Sequence, residues 1–255
     1  MSKKKNPNYK IHRVITALIF VGIYLFYEFI TRAHIVNRYL FPLTNEIVKS
    51  FQHYWREMLV NAWYSFELLI PALLISAVVA FAVGIPMGLF ANIRDILHPV
   101  VYAISVIPVL LLSPFALYLA PSFRMASLFL IAYGSVGALL FSVINGIMTI
   151  DKRYLDNAAT LELTGVEKFF HVILPAASPS IVSGFITSVR SAFVTLVFAE
   201  MYGTKYGMGY FVKRNADLGR FEHVWSGFIW MVIVLVTVMA IVEAIKSRLL
   251  HWTID

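Results

Sequence analysis

Long apolar runs separated by short polar segments dominate the chain. A run of about 18 or more residues with few or no charges is long enough to cross a bilayer as a helix. Such runs occupy residues 14–31, 68–93, 99–123, 125–150, 176–198 and 224–242, with Glu28 inside the first and Arg190 inside the fifth. The short alternating segments of a β-barrel are absent from the sequence. The pattern predicts an all-α, multi-pass integral membrane protein with about six transmembrane helices.

The segments between these runs predict the rest of the organisation. Residues 1–13 carry a cluster of Lys and Arg, which favours a cytoplasmic N-terminal tail. Residues 42–60 place apolar side chains at helical spacing among polar ones, which predicts an external interfacial helix. We expect a five-helix core over 61–249 with a cytoplasmic loop over 151–175. A C-terminal tail over 250–255, also cytoplasmic, completes the prediction.

Composition agrees with a location in the membrane. The chain is 60% hydrophobic and 14% charged, whereas soluble domains carry about 25% charged residues. It contains no cysteine, which excludes disulfides, thiolate metal sites and a cysteine nucleophile. The net charge of +7 is scattered between apolar runs, which favours contact with membrane lipid and argues against nucleic-acid binding. The charged-then-apolar start is not followed by a small-residue cleavage site, so we expect an uncleaved anchor.

No catalytic motif accompanies these spans. The sequence has no Gly-rich phosphate-binding loop, no His-Glu-x-x-His, no Gly-x-Ser-x-Gly and no cluster of acidic or histidine residues at ligand spacing. We therefore predict that the chain is not an enzyme and holds no cofactor or metal of its own. Uphill transport by such a chain would need a partner subunit or an ion gradient as its source of energy.

The loop over 151–175 carries the most informative pattern. Its apolar residues recur every three or four positions, which predicts one apolar face of a short helix: Leu155, Ala159, Leu163, Val166, Phe170 and Ile173. An amphipathic helix at this place either docks in a groove of a partner protein or covers the end of the bundle. The periodicity alone leaves both interpretations open.

The end of this loop resembles the permeases of ABC importers, specifically the nitrate, taurine and alkanesulfonate type. That family carries Glu-Ala-Ala, three residues, Gly, nine residues and Ile-x-Leu-Pro. Residues 169–185, FFHVILPAASPSIVSGF, match the downstream half of the motif. Three further segments look like the family: LFPLTNEIVKSF over 40–51, Phe-Ala-Glu over 198–200 and Gly-Met-Gly-Tyr over 207–210.

The upstream half of the motif departs from the family. Aligned on Leu-Pro, the Glu-Ala-Ala positions hold Asp-Asn-Ala, and the glycine position holds Glu162, with Gly165 three residues later. Because only glycine adopts positive φ freely, we expect Gly165 to supply the turn and the bend to be altered. The departure raises the hypothesis that this subunit is the degenerate half of a heterodimer. A working homodimer is the alternative.

The resemblance implies a type I ABC importer permease fold with a cytoplasmic coupling helix, in a bacterial inner membrane. It implies a second permease subunit, two P-loop ATPase subunits that hold ATP and Mg²⁺, and an external solute-binding protein. The residues that it assigns to ATPase coupling are Asp156, Asn157, Ala158, Glu162, Gly165, Phe169, Phe170, Leu174 and Pro175.

A translocation path is predicted from residues that are unusual inside spans. Arg190 is costly there unless it faces water, an anionic solute or a carboxylate such as Glu67, or reaches an interface by snorkelling. Prolines in the third span break or kink it and free carbonyl groups, unless they are packing kinks alone. Aromatic side chains line the path or belong to the core. The candidates are Arg190, Phe193, Glu200, Pro108, Pro114 and Tyr133.

Two rival functions are weighed against an ATP-driven importer. An ion-coupled secondary transporter normally needs buried carboxylates or a pair of unwound helices near the bilayer midplane. A membrane enzyme needs acid, base or metal-ligand groups at one depth. Neither pattern is present in the sequence. The solute stays open between a nitrate-, sulfonate- or taurine-like anion and a small heterocyclic nutrient.

Overall fold

The computed structural model describes residues 9–251 as a helical bundle, with no β-strand in that range. Its helices are α1 (Tyr9–Arg32), α2 (Thr44–Leu89), α3 (Ala91–Val106), α4 (Val109–Leu119), α5 (Phe123–Met148), α6 (Lys152–Thr160), α7 (Gly165–Lys168), α8 (Leu174–Gly203), α9 (Met208–Asp217) and α10 (Phe221–Leu249). A π-turn (Phe169–Ile173) joins α7 to α8. Most of the predicted tails, residues 1–8 and 252–255, lies outside the described residues, and residues 9–13 already belong to α1.

Five of these segments are long and apolar enough to cross a membrane: Val14–Arg32, Thr44–Leu89, Phe123–Met148, Gly165–Gly203 and Phe221–Leu249. The helices α3 and α4 satisfy the same test together, but they meet at an angle of 88°. The prediction of an all-α membrane protein with about six spans is therefore confirmed, and its third span is a broken one.

The predicted boundary between an interfacial helix and the second span is absent. Residues 44–89 form the single helix α2, and Pro71 and Pro86 lie inside it. The change from polar to apolar side chains alters the surroundings of a helix but breaks none of its backbone hydrogen bonds. At 1.5 Å per residue, α2 extends about 69 Å, more than twice the roughly 30 Å hydrocarbon core. It must therefore cross obliquely or project beyond the membrane.

The core lies between α2, α5 and α8. Ile131, Leu139 and Val143 of α5 are buried against the two neighbouring helices. Small residues allow α5 and α8 to approach closely, because a Cβ atom on Gly146 would lie 2.9 Å from Ser180 Cβ and 3.1 Å from the Ala177 carbonyl oxygen. Membrane helices commonly associate through such small residues, which permit close backbone contact.

Helix α1 stands apart from this core. Only 6% of its span is buried. It is attached at its C-terminal end, where Tyr27 Oη donates a hydrogen bond to the Pro42 carbonyl at 2.7 Å and its ring packs 5.7 Å from that of Trp225. The rest of α1 presents its apolar side chains to the surroundings, as a lipid-facing or partner-facing helix does.

Candidate coupling loop and translocation path

Helix α6 begins at a side-chain cap. Asp151 Oδ1 accepts a hydrogen bond from the Arg153 backbone N–H at 2.9 Å, and Asp151 Oδ2 lies 2.6 Å from Arg153 Nη2. These hydrogen bonds, first the one from the Arg153 side chain, lower the pKa of Asp151 to about 2. The carboxylate therefore stays ionised near neutral pH and favours the helix N-terminus, where negative charge is stabilising.

The end of α6 has the hydrogen bonds of a Schellman motif. Leu163 N–H donates to the Ala158 carbonyl at 3.0 Å, and Glu162 N–H donates to the Ala159 carbonyl at 3.0 Å. The first residue after the helix cap in this motif, the C′ position, needs a left-handed conformation, which glycine normally supplies. Glu162 occupies that position with φ of 53°, and Gly165 also has φ of 53°. The expectation that Gly165 alone supplies the turn is wrong, because hydrogen bonds hold Glu162 in the glycine conformation.

Replacing Glu162 with glycine is expected to stabilise this turn. A non-glycine residue in the left-handed region is destabilising by roughly 1–2 kcal/mol. Glycine removes this strain, but the larger backbone entropy that it loses on folding cancels about half of the stabilisation. Amide hydrogen exchange of residues 152–168 should therefore slow by roughly threefold. Gly165→Ala is the matched control of opposite sign, because a Cβ atom there meets nothing within 4 Å and only the backbone is strained. Faster exchange in Glu162→Gly would contradict the assignment.

Apolar side chains project from the turn between α6 and α8. Leu161, Val166 and Phe170 are 71%, 73% and 57% exposed, and Tyr154 is 54% exposed. We call these four residues the coupling surface. The predicted single amphipathic helix is absent, because the turn at 161–164 separates α6 from α7 and puts Val166 and Phe170 outside. Ala158 is buried, whereas Asp156 and Asn157 are exposed.

A shallow groove borders the coupling surface. Its volume is about 300 Å³, and Tyr154, Asn157 and Leu161 of the first segment face His171 and Pro175 of the second. The π-turn lies beneath it, with Leu174 N–H donating to the Phe169 carbonyl five residues back. Because Pro175 has no N–H and its ring would clash with a carbonyl in a regular α-helix, the wider π-turn accommodates it. Pro175 was the sequence signal for this turn, which the prediction missed.

The helix break at Pro108 opens a cavity. The carbonyl groups of Ile104 and Ile107 lie at the end of α3, where no continuing α-helix supplies an N–H four residues later. Tyr133 Oη donates hydrogen bonds to these two carbonyls at 2.5 and 3.3 Å. The adjoining cavity has a volume of about 590 Å³, and Pro108, Tyr133 and Ser191 are among its lining residues. The predicted break at Pro108 is present. Pro114 causes none, because α4 continues through it with Pro114 exposed.

Two other predicted path residues lie elsewhere. Phe193 is 4% exposed within the core between α2, α5 and α8. Glu200 is 0% exposed, and its Oε2 accepts a hydrogen bond from Gly209 N–H at 2.7 Å. Neither side chain lines the cavity at Pro108. Phe193 fills the core, and Glu200 holds the start of α9.

The start of α9 is held by three buried side chains, which we call the α9 anchor: Asn61, Ser65 and Glu200. Asn61 Oδ1 accepts from Gly207 N–H at 2.9 Å, and Ser65 Oγ accepts from Met208 N–H at 3.0 Å. Together with Glu200 they satisfy three consecutive backbone donors, which have no partner within a helix. The sequence prediction missed Asn61 and Ser65, because polar residues within an apolar helix have no spacing that reveals their partners.

Arg190 lies on an exposed face of α8, about halfway along the helix. Among residues 9–251 none of the ion pairs includes it. Glu67, which the sequence suggested as a partner, lies 4.0 Å from Arg124, and Glu200 is taken by the α9 anchor. The intramolecular ion pairs considered for Arg190 are therefore absent.

Known proteins match this arrangement. Residues 78–251 match the family model described as the binding-protein-dependent transport system inner membrane component. The chain is 26% identical over 69% of its length to the nitrate import permease protein NrtB of Leptolyngbya laminosa, and it spans 63% of that protein. It is 24% identical over 71% of its length to the taurine transport system permease protein TauC of Escherichia coli (strain K12), and it spans 66% of that protein.

The fold also has a solved counterpart. A chain of the inward-facing MetNI methionine ABC transporter superposes with a TM-score of 0.65 at 14% identity, over 76% of this chain and 97% of that one. This likeness concerns the fold alone. The family model covers more than half of the sequence, and the motif resemblance is confirmed by relatives of the nitrate and taurine type. The chain belongs to the family of binding-protein-dependent transport system inner membrane components, the membrane-spanning permeases of ABC importers.

Proposed function

We propose that this permease forms the path for a small solute and is driven by two P-loop ATPase subunits bound at the coupling surface. ATP and Mg²⁺ would reside on those partners. An external binding protein would deliver the solute, and a second permease subunit would complete the path. In this arrangement α6 and α7 lie on the cytoplasmic side of a bacterial inner membrane, with both termini on the same side.

The observation that carries the proposal is the coupling surface itself. Four apolar or aromatic side chains, all more than half exposed, lie on α6 and on the segment that joins it to α8, and the Schellman hydrogen bonds fix the backbone turn between these two parts. Exposed apolar side chains in a cluster, with polar residues around them, are typical of protein interaction sites. The turn continues through the π-turn directly into α8, so a displacement of the coupling surface would be transmitted to that span.

The test is a pull-down of the tagged chain from gently solubilised membranes, with identification of the proteins that co-purify. We expect a P-loop ATPase in the eluate, and Glu162→Arg combined with Phe170→Asp should reduce its recovery at least about tenfold. Leu218→Asp is a matched control, because Leu218 is 58% exposed and Phe170 57% exposed. Recovery of this chain alone would contradict the proposal and favour an ion-coupled transporter.

The same eluate decides between a homodimer and a heterodimer. The Glu-Ala-Ala departure favours a degenerate half, whereas the intact Schellman hydrogen bonds favour a working loop. A second permease sequence in the eluate would support the heterodimer. A purified complex with only this permease and full solute-stimulated ATP hydrolysis would exclude it.

A further inference from the structure

A pocket with two basic side chains lies at the end of the bundle opposite the coupling surface. Helix α8 starts beside that surface and ends at Gly203, and Gly203 borders the pocket. The pocket has a volume of about 340 Å³ and lies between α2, the start of α5 and the turn from α8 to α9. We call it the basic pocket, and its lining includes Tyr64, Glu67, Phe123, Arg124, Lys205 and Tyr206.

The basic pocket lies at the boundary of the hydrocarbon region. The uncharged run of α2 begins at Leu68, and that of α5 begins at Met125, directly after Arg124. The membrane-spanning part of α8 ends at Gly203. Residues 68–89 of α2 extend about 33 Å at 1.5 Å per residue, close to the roughly 30 Å thickness of the hydrocarbon core. Three spans therefore place the pocket at the level of the lipid headgroups.

The net charge of the basic pocket is positive. Arg124 and Lys205 supply two cations and Glu67 supplies one carboxylate. The ion pair within the pocket is loose, because Glu67 Oε2 lies 4.0 Å from Arg124 Nη1 and both side chains are more than a third exposed. Among residues 9–251 none of the ion pairs includes Lys205. An anion can therefore enter without breaking a strong internal ion pair.

Aromatic rings and a short turn shape the wall of the pocket. The rings of Tyr64 and Tyr206 stack at 4.7 Å between centroids, with 25° between their planes. Thr204 Oγ1 donates a hydrogen bond to the Tyr206 carbonyl at 2.6 Å, which holds the turn that carries Lys205. Tyrosine and tryptophan are enriched at the membrane interface, where an amphipathic ring contacts both headgroups and acyl chains. The wall therefore suits the polar end of a lipid.

An apolar face of α2 continues from the pocket into the membrane. Pro71, Leu74 and Val78 follow Glu67 at intervals of four, three and four residues, so they share its face of the helix. Leu74 and Val78 are 62% and 68% exposed. A lipid with its phosphate in the pocket would lay its acyl chains along this face, whereas a free anion would gain nothing from it.

We propose that the basic pocket binds an anionic glycerophospholipid of the leaflet opposite the coupling surface. The phosphate lies between Arg124 and Lys205, and the acyl chains follow Leu74 and Val78. The planar guanidinium matches phosphate oxygens in pairs, and the ammonium adds a compact second charge. Such a lipid touches α2, α5 and the turn from α8 to α9 at once, so its binding stabilises their arrangement. This inference is independent of the transported solute and of the ATPase partner.

The test measures lipid binding to the purified, delipidated permease complex by native mass spectrometry. We expect phosphatidylglycerol to bind at least about tenfold more tightly than zwitterionic phosphatidylcholine, and Arg124→Gln combined with Lys205→Gln to remove this preference. Glu67→Gln should tighten phosphatidylglycerol binding several-fold, because it removes the one negative charge of the pocket. Arg220→Gln is the matched control, since Arg220 is an exposed cation that does not line the pocket.

The opposite signs of these effects separate recognition from a loss of folding. If the double variant does not assemble, the comparison of the two lipids and the effect of Glu67→Gln still decide. Equal binding of the two lipids, or unchanged binding in Glu67→Gln, would overturn the proposal. Soluble glycerol phosphate is the headgroup alone, and binding as tight as that of the lipid would show a site for free phosphate instead.

Discussion

Replacing Gly207 with alanine is expected to detach α9 from the bundle and to destabilise the protein by about 3 kcal/mol or more. Gly207 has φ of 114° and ψ of 165°, a region that is essentially closed to residues with a side chain. An added Cβ atom would also fall on the carboxylate of Glu200. Neither strain can relax easily, because Glu200 is fully buried and holds Gly209 N–H.

The measurement is thermal unfolding of the purified permease complex in detergent, read from the loss of its monodisperse species. Gly22→Ala provides the matched control, since an added Cβ atom on α1 meets nothing within 4 Å. We expect the control to melt like the natural protein and Gly207→Ala to melt at a clearly lower temperature or to fail to assemble. Equal melting of the two variants would show that the α9 anchor contributes little to stability.

The spans were predictable because hydropathy measures the property that a bilayer selects. The break at Pro108 was predictable too, since a proline removes a hydrogen bond whatever surrounds it. The continuity of α2 was not. A polar segment followed by an apolar one resembles two elements in a hydropathy pattern. The side chains of Asn61 and Ser65, however, accept hydrogen bonds from the N–H groups of Gly207 and Met208, more than 140 positions away in the sequence.

The candidate functional residues also divide into those that the sequence predicts and those that it does not. Arg190 was predictable as an unusual residue of its span, because the cost of a charge there depends on the membrane and not on a particular neighbour. Glu200 is also an ionisable residue of α8, three residues before its end, but its partner is a backbone N–H exposed by a turn that hydropathy does not describe. The conformation of Glu162 was not predicted for a related reason: the preference of this residue against positive φ is outweighed by the hydrogen bonds that its own N–H and the Leu163 N–H donate to the end of α6.

The motif glycine shows how a resemblance can mislead about mechanism. A family pattern with glycine at one position suggests that its loss changes the backbone. Here the backbone keeps the left-handed turn and Glu162 bears the strain. The departure from the motif is therefore compatible with a coupling surface of ordinary shape, and it changes the charge at that surface instead.

Replacing Gly184 with alanine is expected to wedge α8 away from α5 and to cost about 1–3 kcal/mol, the usual range for overpacking. An added Cβ atom would fall on the Ser142 side chain and lie 3.2 Å from the Ala138 carbonyl oxygen. Helices in lipid gain little from the hydrophobic effect, so their association depends on this close packing.

Ser142→Gly supplies the internal test of this wedge. Because the clash at Gly184 is chiefly with the Ser142 side chain, the double variant should recover most of the melting temperature that Gly184→Ala loses, a coupling that independent sites do not show. Gly137→Ala on α5 is the control, since its added Cβ atom meets only Ser105 Cβ at 4.0 Å. If the two substitutions at 184 and 142 were additive, the α5–α8 contact would have to be looser than the structure shows. Recovery would instead establish that positions 184 and 142 are in direct contact across the α5–α8 interface.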